Sequence, residues 1–273
     1  MKRFDYFEPR TFDEAVALLA QPNTQALAGG TDLLVELKEH LRHAERVVNI
    51  KKIAGLTGLS FDAKSGLRIG ALATARDIEL SPVVQKSYAG LLQSVRELGS
   101  IQVRYRATII GNICRASPSA DTIPPLIADG ATIRIRGAGG ERSLPLEDFF
   151  VGPGKTVLKP GDVVTEILVP PPAPNTRKIY IKHGRRKAME LATVGVAVTH
   201  VPGGETRIVL GAVAPTPIRA RQAEKVFSES RDVARAARAA MEESRPISNV
   251  RATADYRREM VDVLTRRALE QVL

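Results

Sequence analysis

Thr108-Ile109-Ile110-Gly111-Asn112-Ile113-Cys114-Arg115-Ala116-Ser117-Pro118-Ser119-Ala120-Asp121 is the stretch on which the reading of this chain turns. Gly111 has no Cβ, so backbone there can approach a ligand closely. Thr108, Asn112 and Ser117 set short polar side chains beside bare N–H groups, a combination that suits phosphate. Some eighty residues earlier, Ala28-Gly29-Gly30-Thr31-Asp32-Leu33 repeats the chemistry between an apolar run and a helical pattern. Two such loops could hold the two ends of a pyrophosphate. Neither carries Gly-x-x-x-x-Gly-Lys-Ser/Thr or Gly-x-Gly-x-x-Gly, and each taken alone could be an ordinary tight turn.

The composition narrows the field. A chain of 273 residues with 44% hydrophobic content can bury a real core and hold two or three subdomains. No apolar run reaches the roughly 20 residues that span a bilayer, and Met1-Lys2-Arg3-Phe4-Asp5 has no signal-like apolar core. A cytoplasmic location is therefore expected. The net charge of +10 raises nucleic acid as a partner, but only 4% of residues are aromatic and 30 acidic residues dilute the 40 basic ones. No nucleic-acid partner is expected on that count. Cys114 is the single cysteine, which excludes an intrachain disulfide and an iron–sulfur cluster of about four ligands. It reads as a small buried filler or as a backbone contact to a ligand. No metal site is expected.

Along the chain, Thr11-x-x-Glu14 and Thr74-x-x-Asp77 are capping boxes that open helices. Gln25–Ala28 and Arg46–Ile50 read as strands, with a helix from about 31 to 41 between them. Lys64-Ser65-Gly66 and Pro202-Gly203-Gly204-Glu205 read as hairpin turns. Residues 82–98 read as mostly helical, 121–128 as helix, and 131–136 and 163–169 as strands. Pro170-Pro171-Pro172-Ala173-Pro174 is the clearest linker. After it, residues 178–182, 193–201 and 206–213 read as strands and 218–228, 231–243 and 252–272 as helices. This divides the chain into units 1–56, 57–172 and 176–273.

Taken together, Ala-Gly-Gly-Thr-Asp-Leu and Thr-Ile-x-Gly-Asn-Ile-x-x-Ala-Ser-Pro-x-x-Asp-x-x-Pro resemble the two FAD loops of the molybdenum hydroxylase flavoproteins. That family holds the medium subunits of carbon monoxide dehydrogenase-type enzymes and the flavin domain of xanthine dehydrogenase. The resemblance extends over nearly the whole chain, from Phe4-Asp5-Tyr6-Phe7-Glu8-Pro9 through Gly211-Ala212-Val213-Ala214-Pro215-Thr216-Pro217 to Arg251-Ala252-Thr253-Ala254-Asp255-Tyr256. It departs from the family pattern at Ile110, where a second glycine is usual.

The resemblance implies an α+β fold. An FAD-binding part of the vanillyl-alcohol-oxidase type would have two N-terminal subdomains, followed by a C-terminal three-stranded sheet with helices. It implies FAD contacts at Ala26, Leu27, Ala28, Gly29, Gly30, Thr31, Asp32 and Leu33, and at Thr108, Ile109, Ile110, Gly111, Asn112 and Ser117. It implies further contacts at Asp121, Lys182, Leu98 and Val164. Leu98 departs from the aromatic of the mammalian enzymes, so ring stacking there is lost. On the residues alone, Asp121 could be a helix N-cap, Lys182 a solvated strand lysine, and Leu98 and Val164 plain core. The implied function is electron relay. A large molybdopterin subunit oxidises substrate, a small [2Fe-2S] subunit passes electrons on, and this chain's FAD delivers them to an outside acceptor, in a dimer of heterotrimers. Nothing in that relay calls for a catalytic side chain here. A free-standing flavin oxidase or NADH diaphorase of the same fold is the alternative enzyme, and a basic nucleic-acid-binding protein the alternative of another class.

Overall fold

The structure, a computed structural model, describes residues 1–273. The elements run β1 (Asp5–Phe7), α1 (Phe12–Leu19), β2 (Thr24–Leu27), α2 (Leu33–Lys38), β3 (Arg46–Asn49), β4 (Leu59–Asp62), β5 (Gly66–Gly70), α3 (Ala75–Leu80), α4 (Pro82–Ser87), α5 (Ala89–Arg96), α6 (Ile101–Arg104), α7 (Ile109–Arg115) and α8 (Ile123–Ala128). Then come β6 (Thr132–Gly137), β7 (Gly140–Pro145), β8 (Phe150–Gly152), β9 (Lys155–Thr156), β10 (Val163–Val169), β11 (Arg177–His183), β12 (Val194–His200), β13 (Thr206–Gly211), β14 (Ile218–Arg219), α9 (Arg221–Ser230), α10 (Val233–Glu243) and α11 (Ala254–Val272).

Local chemistry explains many of these boundaries. Thr11 and Thr74 cap α1 and α3, each accepting from the backbone N–H three residues on, while Glu14 and Asp77 reach back to the cap N–H. A cap of this kind is worth about 1 kcal/mol. Ser81, with Pro82 at the first helical position, starts α4. The helical run expected over 82–98 breaks at Tyr88, whose ring is fully buried and whose hydroxyl donates to the Pro170 carbonyl at 3.0 Å.

Three sheets carry the molecule. The first is parallel, in the order β1-β3-β2. The second is an antiparallel sheet in the order β4-β5-β10-β6-β7. The third, β11-β12-β13-β14, has three long antiparallel strands and a two-residue fourth.

A continuous core joins the first two units and takes in Tyr180, Ala197 and Val209 of the third sheet. The opposite face of that sheet, with Val194, Val196 and Val198, packs on α9, α10 and α11. This alternation along β11 and β12 follows from the two-residue period of a strand. Lys178, Tyr180 and Lys182 therefore all face the first two units, where Lys178 meets Asp129 and the other two meet Asp121. A third, small core of Leu27, Leu37, Ala44 and Val47 supports α2.

Two expectations are corrected. The stretch from Thr108 is not a loop throughout: it is the N-cap and body of α7. Thr108 Oγ1 accepts from the Gly111 N–H at 3.0 Å. Ile110 is accordingly in a helix, with none of the positive φ that would call for glycine, and is buried in the core. The helix expected from 31 to 41 is shorter, because only 33–38 are helical and His40 takes a positive φ of 58°. No helix is long and apolar enough to cross a membrane.

Candidate functional site

Gly29 and Gly30 lie in the turn between β2 and α2, and Thr108 caps α7. The fold brings these two segments into backbone contact. A Cβ placed on Gly29 would strike the Arg106 carbonyl oxygen, and would lie 2.9 Å from the carbonyl carbon and 3.1 Å from the Ala107 Cα. Only glycine permits that approach. Gly30 adds a left-handed φ of 79°. The second segment is anchored from behind. Ala75 N–H donates to the Ala107 carbonyl at 2.8 Å, and Ile109 N–H to the Ala73 carbonyl at 3.1 Å.

The two segments form the waist of a cleft of about 450 Å³ between the first and second sheets. The N–H groups of Gly29, Gly30, Thr31, Asp32 and Leu33 find no acceptor anywhere in the chain, and neither does that of Ile110. The segment is half-buried to exposed, and Asp32 and Leu33 begin a helix, whose first N–H groups are always open. With Gly29, Gly30 and Thr31 added, the cleft wall offers a row of donors that suits an acceptor-rich ligand. Asn112 adds another donor. Its Oδ1 accepts from the Thr122 hydroxyl at 2.7 Å, which leaves the amide nitrogen to the cleft.

The ends of the cleft differ. One is apolar, walled by Leu98, Gly99 and Val103. The other carries Gln25, Glu36, Arg42 and Arg115. Asp162, also on the wall, is tied to Arg142 at 2.5 Å and accepts from the Lys159 N–H at 2.6 Å. Burial raises its carboxyl, but the Arg142 guanidinium and the backbone N–H outweigh that and hold it below its usual range. Cys114 also lines the cleft, half-buried, and desolvation pushes its thiol up to about 12, away from the thiolate.

Of the expected contact residues, Ala26, Ala28, Gly29, Gly30, Thr31, Asp32, Leu33, Leu98, Thr108, Ile110, Gly111, Asn112 and Val164 are brought together on the cleft wall. Leu27 and Ile109 are instead in the packed core. Ser117 lies beyond α7, where its hydroxyl accepts from the Ser119 N–H at 3.3 Å. Asp121 and Lys182 form a buried pair off the wall, 2.9 Å apart. Asp121 is no N-cap: that position belongs to Thr122, and the Asp121 carboxylate accepts from the Tyr180 hydroxyl at 2.8 Å. Burial raises its carboxyl to about 6, although Lys182 and Tyr180 both favour the ionised form. Lys182 is no solvated strand lysine either. Its ammonium also donates to the Glu97 carbonyl at 3.2 Å and the Glu190 carbonyl at 2.7 Å, so its three N–H bonds are spent. Through Glu97 it holds the turn that carries Leu98 into the cleft.

The charged end was not expected from the sequence. Glu36, Arg42 and Arg115 are isolated charges in helical or turn segments and look like solvated surface. No run or spacing marks them.

Comparison with known proteins agrees with this geometry. Residues 2–172 match the family model described as the FAD binding domain in molybdopterin dehydrogenase, and residues 179–272 match the CO dehydrogenase flavoprotein C-terminal domain. The chain belongs to the FAD-binding medium subunits of the xanthine dehydrogenase and CO dehydrogenase family. It is 36% identical over 278 residues to the carbon monoxide dehydrogenase medium chain of Hydrogenophaga pseudoflava, covering 98% of this chain and 96% of that one. It is 28% identical over 278 residues to the xanthine dehydrogenase FAD-binding subunit of Escherichia coli O157:H7, covering 98% and 95%. The solved carbon monoxide dehydrogenase from Hydrogenophaga pseudoflava superposes with a TM-score of 0.93 at 34% identity, over 98% of this chain and 96% of that chain.

The cleft of this FAD-binding subunit fits its cofactor on its own terms. A diphosphate accepts hydrogen bonds and carries negative charge, which is what a row of unspent N–H groups lacks. Gly29 leaves the close contact of the two loops unobstructed, and of the three carboxylates on the wall Glu36 and Asp162 are paired with arginines. The chain brings no three His, Cys, Asp or Glu side chains together in a metal-binding group.

Proposed function

We propose that this chain is the electron-transfer flavoprotein of a multi-subunit molybdenum hydroxylase, acting beside a small [2Fe-2S] subunit and a large molybdopterin subunit. We place the assembly in the cytoplasm, as a dimer of heterotrimers. The observation that carries the reading is the row of five unspent N–H groups at 29–33, set against the N-terminus of α7 across a waist only glycine allows. Bound FAD supplies exchange between single electrons from the iron–sulfur side and electron pairs for an outside acceptor.

The chain's own part is to bind, orient and exclude water. The N–H groups of Gly29–Leu33 and Ile110, with the Thr31 hydroxyl and Asn112 amide, hold the diphosphate. Leu98 and Val103 give the flavin ring an apolar wall, and Val164 packs the other flank. Asp121 and Lys182 act as a positioning pair from behind Leu98. No side chain is needed as acid or base. The three units 1–56, 57–172 and 176–273 then divide the work: the first two enclose the cofactor and the third backs the ring end. Attachment is non-covalent: the cleft wall offers no histidine or tyrosine, and its one thiol, Cys114, is half-buried.

The test is purification of the native assembly with assay of Mo, Fe and FAD. The expected result is stoichiometric flavin on this chain, released by denaturation, with iron and molybdenum in companion chains. A yellow chain that purifies alone and oxidises NADH unaided would favour a free-standing flavin oxidase or NADH diaphorase instead.

A further inference from the structure

Glu36 lies one helical turn beyond Asp32 on α2, and Arg115 one turn beyond Gly111 on α7. Both therefore stand just past the waist, on the same side of it. They come from different halves of the cleft, one from the parallel-sheet unit and one from the five-stranded unit. Arg115 Nη2 is 2.6 Å from Glu36 Oε1, and Arg42 Nε is 2.7 Å from Glu36 Oε2. Arg42 Nη1 also donates to Gln25 Oε1 at 2.8 Å. Two guanidiniums against one carboxylate leave the cluster with one net positive charge. Arg115 has no acceptor other than Glu36, and the Gln25 amide nitrogen has none, so several donors face the cleft unspent. The Glu36 side chain is only 13% exposed, so the cluster is shielded enough for its charges to count.

We infer that this cluster recognises the adenylate half of FAD and sets the preference for FAD over FMN. The inference rests on the cleft being the FAD site. An adenine edge offers an amino donor and ring-nitrogen acceptors, its ribose offers two hydroxyls, and its phosphate carries a negative charge. The cluster complements all three with free guanidinium and amide donors, a carboxylate acceptor and a positive charge. The oxidised isoalloxazine ring is uncharged and broad. It would leave these charges unmatched and is better served by the apolar Leu98 and Val103 end.

The experiment uses the full chain stripped of flavin, with FAD and FMN titrated by fluorescence and ADP as competitor for the adenylate half alone. Arg115→Met should weaken FAD and ADP by about tenfold or more, the loss of one charge-assisted contact, while FMN affinity stays within about twofold. Glu36→Gln, which loosens both guanidiniums, should shift the FAD-to-FMN ratio the same way. Equal losses for both flavins, or no change in either, would overturn the inference and leave the cluster as a staple between the two halves. Should Arg115→Met not fold, Arg115→Lys decides by the same ratio, since it keeps the charge and loses the planar donor fork. A wild-type chain that bound neither flavin would sink the FAD reading itself, which is a different outcome from a wild type that binds FAD with variants of unchanged ratio.

Discussion

Gly29→Ala isolates what the waist of the cleft does. The added Cβ would sit 2.9 Å from the Arg106 carbonyl carbon and 3.1 Å from the Ala107 Cα, with the Arg106 oxygen closer still. Carbon atoms rest at about 3.5–4.0 Å, so relieving the first contact alone requires the strands of backbone to part by about 0.6–1.1 Å. Nothing flexible can yield, because every struck atom is main chain. The packing cost is about 1–3 kcal/mol. The effect on the cofactor is larger. N–H donors at about 2.9 Å from a phosphate oxygen are carried out of hydrogen-bonding range by a shift of that size. Each such bond to a charged group is worth about 1.5–3 kcal/mol, so losing one or two lowers FAD affinity by about 100-fold. The assay is flavin occupancy by the 450 nm band, a titrated Kd on the stripped chain, and Tm. Gly111→Ala is the comparison, because its Cβ would meet only the Thr108 hydroxyl, at 2.7 Å, and should cost less. If Gly29→Ala kept full flavin and a wild-type Tm, the two loops would not be held in contact in solution and the account of the waist would fail.

Lys178→Met would strand Asp129, whose carboxylate is 2.9 Å from Lys178 Nζ and whose Oδ2 has no partner. Removing one member of a buried pair costs about 3–5 kcal/mol, seen as a Tm loss of about 6–20 °C at 2–4 °C per kcal/mol, and adding Asp129→Asn should recover part of it. The Asp121 carboxyl, raised to about 6, keeps its proton in the folded chain where an unfolded carboxyl near 3.9 has lost it. Its contribution to stability therefore falls as pH rises from about 4 to about 6 and is level above that. The Tm of Asp121→Asn should gain on wild type across that window, and parallel Tm curves would refute the raised value. Arg185, Arg186 and Lys187 form an exposed basic loop directly after β11, the strand that carries Lys182, placed to attract an anionic acceptor or acidic partner surface. Replacing them with Ser should leave FAD bound but slow turnover at low ionic strength and flatten its salt dependence. Unchanged turnover and salt response would assign the stretch to Glu190, which Arg186 meets at 3.1 Å.

Much of the fold was legible because it is written in local chemistry. The capping boxes at Thr11 and Thr74, the glycine turns at Lys64-Ser65-Gly66 and Pro202–Glu205, and the apolar runs of β10, β12 and β13 each state their structure within a few residues. What failed was set by distant contacts. Ile109–Arg115 is rich in β-branched residues and holds a glycine, so intrinsic propensity argues against helix. It is helical because Thr108 caps it and Ala73–Ala75 pins its start. The β7 strand, Gly140–Pro145, is a polar edge strand with no apolar alternation to announce it. At the site, the two glycine-containing segments stood out through their resemblance to the family, and the fold brings them onto one cleft wall. The buried pairing of Asp121 with Lys182 and the joining of Glu36 to Arg115 were not, because each depends on two elements meeting across the molecule.

The thinness of the small core under α2 has a consequence for how the chain is made. Four buried residues, Leu27, Leu37, Ala44 and Val47, with Phe4 and Leu33 half-buried against them and the Glu36–Arg115 ion pair, hold that helix and the turn before it, and the turn spends none of its five N–H groups on the chain itself. Segments so weakly tied open at low free energy. A ligand that binds only the closed form stabilises it by RT ln(1 + [L]/Kd), about 2.7 kcal/mol at a hundredfold excess over Kd. On the proposed reading, FAD is a folding ligand for residues 29–44 as well as a redox group. A chain that has not yet taken up flavin carries an unfinished edge there, protease-sensitive and fast in amide exchange, and loading closes it. Cofactor content is in this way converted into chain lifetime, with no separate sensor required.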